Sequence, residues 1–182
     1  MVESNATEGD GVPAFLEQPS AEEIIQTQAR PTQYPRTAAD AVVIRPSTTQ
    51  QGRFEVMLIT RKKETFHGKL AFPGGHIDYN EDPEVACVRE LEEECNVKGA
   101  NPVLLTVKGK PGRDPRYHMI SIVYLVEVDP SAVPTAQDDA LSAAWYDLGE
   151  VLQTPDKFAF DHHEILLELC DKHPQKYGAF RP

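Results

Sequence analysis

The chain has 182 residues, a length that suits one folded domain with a terminal extension. Hydrophobic residues make up 40% of it, enough for a core, while 29 acidic and 18 basic residues give a formal net charge of −11. This acidic balance argues against nucleic acid as a partner, because binding to a phosphate backbone requires basic patches. No apolar stretch approaches the length of a membrane span, so we expect no membrane partner either.

The cysteines and the first residues indicate the compartment. Cys87, Cys95 and Cys170 are odd in number and show no Cys-x-x-Cys spacing, which argues against a disulfide framework and favours a reducing compartment. Residues 1–15 are polar and acidic, and they lack the basic start and the apolar stretch of a signal peptide. We therefore expect a cytoplasmic protein.

Residues 1–36 are predicted to form a flexible N-terminal arm, because they combine four prolines and many polar residues with little hydrophobic periodicity. The alternative is a swapped arm that packs on a partner subunit, and both interpretations remain open. Residues 37–174 are expected to form the folded domain, and residues 175–182 are expected to form a short C-terminal tail.

Short apolar runs and one long β-like run predict a series of strands in this domain. The predicted strands lie at residues 41–44, 54–60, 103–107, 119–128 and 143–146. Two further segments, 82–95 and 160–172, are predicted to be helices. Because strands and helices are interleaved and hairpin-like neighbours also occur, the pattern indicates an α/β fold with a mixed β-sheet covered by helices on both faces.

The predicted helix at residues 82–95 places Glu90, Glu93 and Glu94 on one face, at positions i, i+3 and i+4. The other side, which includes Val85, is expected to face the core. Carboxylates this close repel one another and destabilise a helix unless a cation lies among them, and a dense set of oxygen ligands suits Mg²⁺ or Mn²⁺. A solvated, charged helix face explains the same pattern, so the helix alone leaves both interpretations open.

The residues around this helix follow a fixed spacing. Gly75 is followed after five residues by Glu81, and after seven more by the segment RELEEECNV at residues 89–97. This arrangement resembles the signature motif of the Nudix hydrolase family, G-x5-E-x7-R-E-U-x-E-E-x-G-U, in which U is a bulky aliphatic residue. Asn96 stands where the family has glycine. Asparagine also tolerates the left-handed conformation that ends a helix, so this departure should cost little.

The resemblance implies a Nudix-type α/β/α sandwich in which a loop–helix–loop motif carries the active site. It implies that Glu90, Glu93 and Glu94 are catalytic metal ligands, with Glu90 either a ligand or the base for the attacking water. The backbone carbonyl of Gly74 would complete part of the coordination. The implied cofactor is Mg²⁺, or alternatively Mn²⁺, and the implied chemistry is metal-assisted attack of water on phosphorus.

Structural roles are implied for three further residues of the motif. Glu81 and Arg89 would form an ion pair that holds the loop–helix–loop segment together. Gly75, together with Gly74, supplies a tight turn and lets the backbone approach a ligand closely. Glu92 points away from the clustered glutamates and is expected to lie on the surface.

Residues 110–118, KPGRDPRYH, resemble a loop of the ADP-ribose pyrophosphatase branch of the family. Arg113 and Arg116 offer forked donors that suit phosphate or ribose oxygens, so they are candidate substrate-binding residues. The alternative is an ordinary proline-containing turn whose arginines only contact solvent, although arginine-bearing loops near a site often carry function.

Two later segments also resemble this branch. Asp138 or Asp139 could assist metal or substrate binding from a late loop, although two aspartates at a turn are also common for backbone reasons. Residues 160–166, FDHHEIL, resemble a helix start of the branch, with Asp161 as the expected N-cap. The two histidines of this segment are interpreted as structural or, alternatively, as contacts at the edge of the substrate, with the structural role favoured.

The motif and the later segments together predict a divalent-metal-dependent pyrophosphohydrolase whose partner is a small-molecule nucleoside diphosphate derivative. The most specific expectation is hydrolysis of ADP-ribose to AMP and ribose 5-phosphate. One alternative is a house-cleaning nucleoside triphosphate pyrophosphatase that also accepts oxidised nucleotides, and another is a non-catalytic ADP-ribose-binding sensor. Every acidic position of the motif is kept, which favours an enzyme. Relatives of this branch are often homodimers, so a homodimer is the oligomeric form that the resemblance suggests.

Overall fold

The structure, a computed structural model, describes residues 34–182. The N-terminal arm expected at residues 1–36 therefore lies outside the described residues except for its last three. In the described part, the strands are β1 (Arg36–Val42), β2 (Ile44–Pro46), β3 (Phe54–Arg61), β4 (Leu70–Ala71), β5 (Gly74–His76), β6 (Ala100–Lys108), β7 (Met119–Glu127) and β8 (Ala140–Asp147). The helices are α1 (Pro83–Cys95), α2 (Leu148–Leu152), α3 (His162–Lys172) and α4 (Pro174–Tyr177), with 3-10 turns at Pro155–Lys157 and Gly178–Phe180.

These strands form two four-stranded sheets. The first has the order β5-β1-β7-β6, in which β1 and β7 are parallel and the other pairs are antiparallel. In the second, β8 pairs with β3 along most of its length, and β2 and β4 pair with opposite ends of β3. The sequence indicated a single mixed sheet, whereas the structure has one mixed sheet and one antiparallel sheet.

Strand β3 shows how the sheets are covered by helices. Successive side chains of a strand point to opposite faces. Val56 and Leu58 belong to a buried apolar cluster that includes the apolar face of α3, whereas Met57 and Ile59 belong to a second cluster that includes Leu91 of α1. Helices therefore pack on two sides of the strands, and the α/β/α sandwich expected from the sequence is confirmed.

Helix α1 begins and ends at residues that favour helix termini. The Asp82 carboxylate accepts a hydrogen bond from the Glu84 N–H at 2.9 Å, and Pro83 follows in the first turn. At the other end Asn96 adopts the left-handed conformation, with φ of 54°, as its place in the motif predicted. The helix is rotated from the expected orientation, because Val85 is 59% exposed and Glu94 lies on the buried side.

No helix in the described part of the chain is long and apolar enough to span a membrane.

The last residues, which we expected to form a tail, pack against the domain. Tyr177 at the end of α4 is only 2% exposed. The ring of Phe54 in β3 meets the rings of Tyr177 and Phe180 edge to face, with centroids 5.0 and 5.8 Å apart. Residues after α3 therefore contribute to the core beside α3.

Tyr177→Ala tests the contribution of this C-terminal packing to stability. Removal of a fully buried aromatic ring leaves a cavity, so the free energy of unfolding should fall by about 3 to 5 kcal/mol. Urea denaturation measures the change, with Tyr79→Ala as the matched control because Tyr79 is 95% exposed. Equal small effects of the two substitutions would show that the C-terminal segment adds no stability.

Candidate functional site

A cavity of about 210 Å³ lies where α1 and β5 meet β1 and the end of β3, bordered by the loops before β7 and β8 and by the start of α3. It contains eight of the residues that the sequence identified: Gly74, Gly75, Glu90, Glu94, Arg113, Arg116, Asp138 and Asp139. Most of the other lining residues are polar or charged: Asp40, Arg61, Lys63, His76, Asp78, Asp114 and His162. Segments that are far apart in the sequence thus form one charged pocket.

Glu94 is the most buried acid of the motif, with 5% of its surface exposed. Its carboxylate accepts a hydrogen bond of 2.9 Å from the Gly74 N–H, which joins α1 to β5. Burial raises the pKa of Glu94 to about 8, and the negative charges of Glu90, Asp40 and Asp139 act in the same direction. The ionised form of this side chain would be stabilised by a cation in the cavity.

Glu90 lies one turn earlier on α1 and also faces the cavity. Burial raises its pKa despite a hydrogen bond of 2.9 Å from the Arg89 guanidinium. A Cβ atom at position 75 would overlap the Glu90 carboxylate, and one at position 74 would overlap the backbone of β1. Glycine is therefore required at position 74, where the neighbour is backbone, whereas a side chain at position 75 would displace the Glu90 carboxylate from its place in the cavity.

Arg89 connects helix α1 to the loop before it and to strand β5. It donates to both carboxylate oxygens of Glu81, at 2.7 and 2.9 Å, and this pairing lowers the pKa of Glu81 to about 2. It also donates to the His76 carbonyl at 3.1 Å. Glu93 accepts from Arg89 at 3.0 Å, is 47% exposed and does not line the cavity.

Oxygen atoms dominate the acidic side of the cavity. Within residues 34–182, no three histidine, cysteine or acidic side chains form a cluster that could hold a metal ion as they stand. The carboxylates of Glu90, Glu94 and Asp40 line the cavity on this side, and the backbone of Gly74 runs beside them. A set of hard oxygen donors without sulfur fits Mg²⁺ or Mn²⁺ in its chemistry.

Both arginines of the loop before β7 line the cavity, and each is held by an aspartate. The Arg113 side chain is 5% exposed and donates to Asp161 at 2.9 Å. Arg116 donates to Asp114 at 3.0 and 2.7 Å. Asp161 is the N-cap residue of α3, as expected, but its side chain makes no capping hydrogen bond and binds Arg113 instead.

The loop before β8 brings two more acids to the cavity. The Gln137 N–H donates to the Glu94 carbonyl at 3.0 Å, which ties this loop to α1. Asp138 has a φ of 47°, and the carboxylate of Asp139 forms an ion pair with Lys63. The two aspartates therefore line the same cavity as Glu90 and Glu94. Their positions in the sequence did not show this.

Asp40, which sequence reasoning missed, lies in the cavity wall opposite His162, which it had interpreted as structural. Asp40 in β1 is buried and accepts a hydrogen bond from the Ser121 hydroxyl. His162 accepts the Phe72 N–H on Nδ1 at 3.0 Å, and its Nε2 lies 3.9 Å from the Asp40 carboxylate. Burial lowers the pKa of His162, which favours the neutral ring. Because Nδ1 accepts a hydrogen bond, the single proton of the neutral ring is on Nε2, facing Asp40. The sequence feature that could have identified Asp40 is an acidic residue among the small apolar residues of β1.

Comparisons with known proteins agree with this geometry. The NUDIX domain model matches residues 35–169. The chain is 36% identical over 133 residues to an ADP-ribose pyrophosphatase of Methanocaldococcus jannaschii, covering 73% of this chain and 72% of that protein. It is 26% identical over 151 residues to the ADPR responsive transcriptional repressor NtrR of Acinetobacter baylyi, covering 81% of this chain and 58% of the repressor.

A solved structure shows the same fold. The NUDIX domain of Shewanella oneidensis NrtR, complexed with ADP ribose, aligns with a TM-score of 0.71 at 24% identity, covering 84% of this chain and 99% of that chain. The matched domain, the identity to the pyrophosphatase and the placement of the motif's glycines and glutamates lead to one conclusion. The chain belongs to the NUDIX domain family, and it is a Nudix hydrolase.

Proposed function

We propose that this Nudix hydrolase cleaves ADP-ribose to AMP and ribose 5-phosphate with the help of Mg²⁺ or Mn²⁺. The observation that carries the proposal is the cavity itself, in which Glu90 and Glu94 lie on one side and Arg113 and Arg116 contribute positive charge. An anionic diphosphate binds beside carboxylates only where a cation lies between them, and elsewhere it needs hydrogen-bond donors. The glutamates of this cavity could hold the cation, and the arginines could supply the donors. The 36% identity to a protein named as an ADP-ribose pyrophosphatase supports the same substrate.

The roles of the acidic residues follow from their positions. We propose that Glu90, Glu94 and the Gly74 carbonyl hold the divalent cation, with Glu93 as a further ligand although its side chain pairs with Arg89 here. A bound cation supplies positive charge that stabilises the phosphoryl oxygens in the transition state. In the alternative role, Glu90 would not hold the cation but would accept the proton of the water that attacks phosphorus as the P–O–P linkage breaks.

The remaining proposed site residues act around this centre. Arg113 and Arg116 would bind substrate oxygens, and their aspartate partners hold them in position before substrate arrives. Asp138 and Asp139 would contact the substrate or its cation from the loop before β8. The contact between Arg89 and Glu81 keeps the motif in shape.

A substrate panel tests the proposed reaction. The protein is incubated with Mg²⁺ and ADP-ribose, with nucleoside triphosphates including oxidised ones, or with other diphosphates, and the products are identified by chromatography. We expect AMP and ribose 5-phosphate from ADP-ribose at rates well above those of the triphosphates. Release of pyrophosphate from triphosphates at similar rates would contradict the proposal and favour the house-cleaning alternative.

The similarity to the NtrR repressor supports a second candidate, an ADP-ribose-binding sensor without turnover. Both candidates bind ADP-ribose, but only the hydrolase converts it to products. Saturable binding of ADP-ribose in Mg²⁺ with no AMP formed would support the sensor and exclude the hydrolase for this substrate. The retained acidic residues of the motif favour the hydrolase, because a sensor has no need of them for chemistry.

Glu94→Gln should preserve the fold and remove most of the turnover. The substitution keeps the shape of the side chain but deletes the charge that we assign to the cation, and we expect kcat for ADP-ribose to fall by about 100-fold or more. The matched control is Glu92→Gln, on the exposed face of the same helix. Full activity of the Glu94 variant at saturating Mg²⁺ would show that the ligand assignment is wrong.

The raised pKa of Glu94 also leads us to expect that the stability of the metal-free protein depends on pH. The pKa of Glu94 in the folded state is about 8, above the ordinary value of 4.5, so the folded state retains a proton that the unfolded chain releases. The free energy of unfolding should therefore decrease as the pH rises from about 4.5 to about 8. Glu94→Gln lacks this titration, and in EDTA the difference between the two proteins should increase toward pH 8. Parallel curves across that range would refute the burial of an ionisable Glu94.

A further inference from the structure

The loop before β8, residues 128–139, is exposed or half-buried along its whole length. Hydrogen bonds hold it to the domain. At the end nearer the cavity, the Thr135 N–H donates to the Cys95 carbonyl at 2.8 Å, beside the hydrogen bond from Gln137 to Glu94. Segments with few buried contacts open easily, so the order of this loop depends on how firmly its hydrogen bonds are anchored.

Arg45 in β2 binds the other end of this loop. Its side chain is 11% exposed, and Nη1 donates to the Pro130 carbonyl at 2.8 Å and to the Ala132 carbonyl at 3.3 Å. Its Nε donates to the Glu55 carboxylate on β3 at 2.8 Å. The rigid fork of donors of one arginine thus joins a strand of the sheet to two carbonyls of the loop.

Trp145 in β8 binds the same part of the loop. Its Nε1–H donates to the Ala132 carbonyl at 2.9 Å, and the Cζ atom of Arg45 lies 4.0 Å from the centroid of its ring, within the range of a cation–π contact. We call Arg45, Glu55 and Trp145 the arginine clamp. Within residues 34–182, the clamp lies away from the residues that line the cavity.

The clamp and the contacts with α1 hold one continuous stretch of chain that ends at the cavity. The stretch is held at residues 130–132 by the clamp and at residues 135–137 by α1. Asp138 and Asp139 follow directly, and the Lys62 N–H donates to the Asp139 carbonyl at 3.0 Å. A group displaced by about 1 Å can lose much of its effect at a reactive centre, so contacts that fix a loop from a distance matter for its function.

We propose that Arg45 and Trp145 are positioning residues that keep Asp138 and Asp139 in place at the cavity. Without the guanidinium, two carbonyls of the loop lose their donor, and the motion gained at residues 130–132 reaches the two aspartates along the chain. The inference rests on the proposed function for what these aspartates contact, namely the substrate or its cation. The effect of Arg45 on ligand binding should therefore pass through the two aspartates.

Amide hydrogen exchange, measured by nuclear magnetic resonance, tests the clamp without any ligand. In Arg45→Gln we expect the amides of Thr135 and Gln137 to exchange about 10-fold faster than in the wild type, the effect expected when hydrogen bonds to a charged group are lost. If this variant does not fold, Trp145→Phe decides the matter. It keeps an aromatic ring and removes only the Nε1–H, so exchange at the same two amides should rise by a smaller factor.

Arg53→Gln is the matched control for a general loss of stability. Arg53 lies just before β3 and pairs with Asp147 at the end of β8, so the substitution also removes an arginine ion pair between strands of this sheet. Its partner lies outside residues 128–139. Exchange at Thr135 and Gln137 in this variant should remain as in the wild type.

Binding of a substrate analogue tests the role at the cavity. The probe is α,β-methylene-ADP-ribose with Mg²⁺, whose P–C–P bridge water does not cleave, titrated into the protein by calorimetry. We expect Arg45→Gln to raise Kd by about 10-fold, an effect typical of residues that orient the groups at a cation site, and Arg53→Gln to leave Kd unchanged. When Asp138 and Asp139 are both replaced by asparagine, Arg45→Gln should raise Kd no further, because the groups it positions are gone.

The outcomes distinguish this inference from the proposed reaction. Unchanged exchange at Thr135 and Gln137 in Arg45→Gln would overturn the inference, whatever the protein hydrolyses. An equal rise of Kd with and without the two aspartates would also overturn it, because Arg45 would then act by another route. A wild-type protein that binds the analogue but does not hydrolyse ADP-ribose would overturn the reaction and keep the positioning role. A wild-type protein that does not bind the analogue would overturn both.

Discussion

The hydrogen bond from the Gly74 N–H to the Glu94 carboxylate joins the first mixed sheet to helix α1 and sets the shape of the cavity. It holds an acid where burial raises the pKa to about 8. The contact depends on Gly74, since a Cβ atom at this position would overlap the backbone of β1. Ionisation of a buried carboxylate is costly, which supports the proposal that a cation binds beside Glu94.

The sequence predicts most reliably the contacts between residues that lie on helix α1 or next to it. Glu90 and Glu94 reach the same cavity because the helical repeat places them one turn apart, and Arg89 meets Glu81 just before the helix. The α/β class also follows from the alternation of strand and helix patterns. The rotation of α1 was predicted wrongly, with Val85 toward the core, because apolar spacing alone did not show that Glu94 is buried.

The residues that the sequence did not predict are those placed by long-range pairing. Arg61 ends an apolar strand, as many charged residues do, and it lines the cavity next to a register shift in the pairing of β3 with β8. Asp40 lies in β1, and its position in the site results from the pairing of that strand with β5 and β7. The division of the strands into two sheets has the same origin, because periodicity identifies strands but not their partners.

The start of α3 makes the site depend on both helical layers. Asp161 holds Arg113, and His162 faces Asp40, while the apolar side of α3 packs in the cluster on the other side of the strands from α1. Phe160, which immediately precedes them, carries the ring beside Arg61 and Arg116. A shift of α3 would therefore move the basic side of the cavity relative to the glutamates of α1. The distance between the two charged sides is thus set by the packing of the whole sandwich and not by the motif alone.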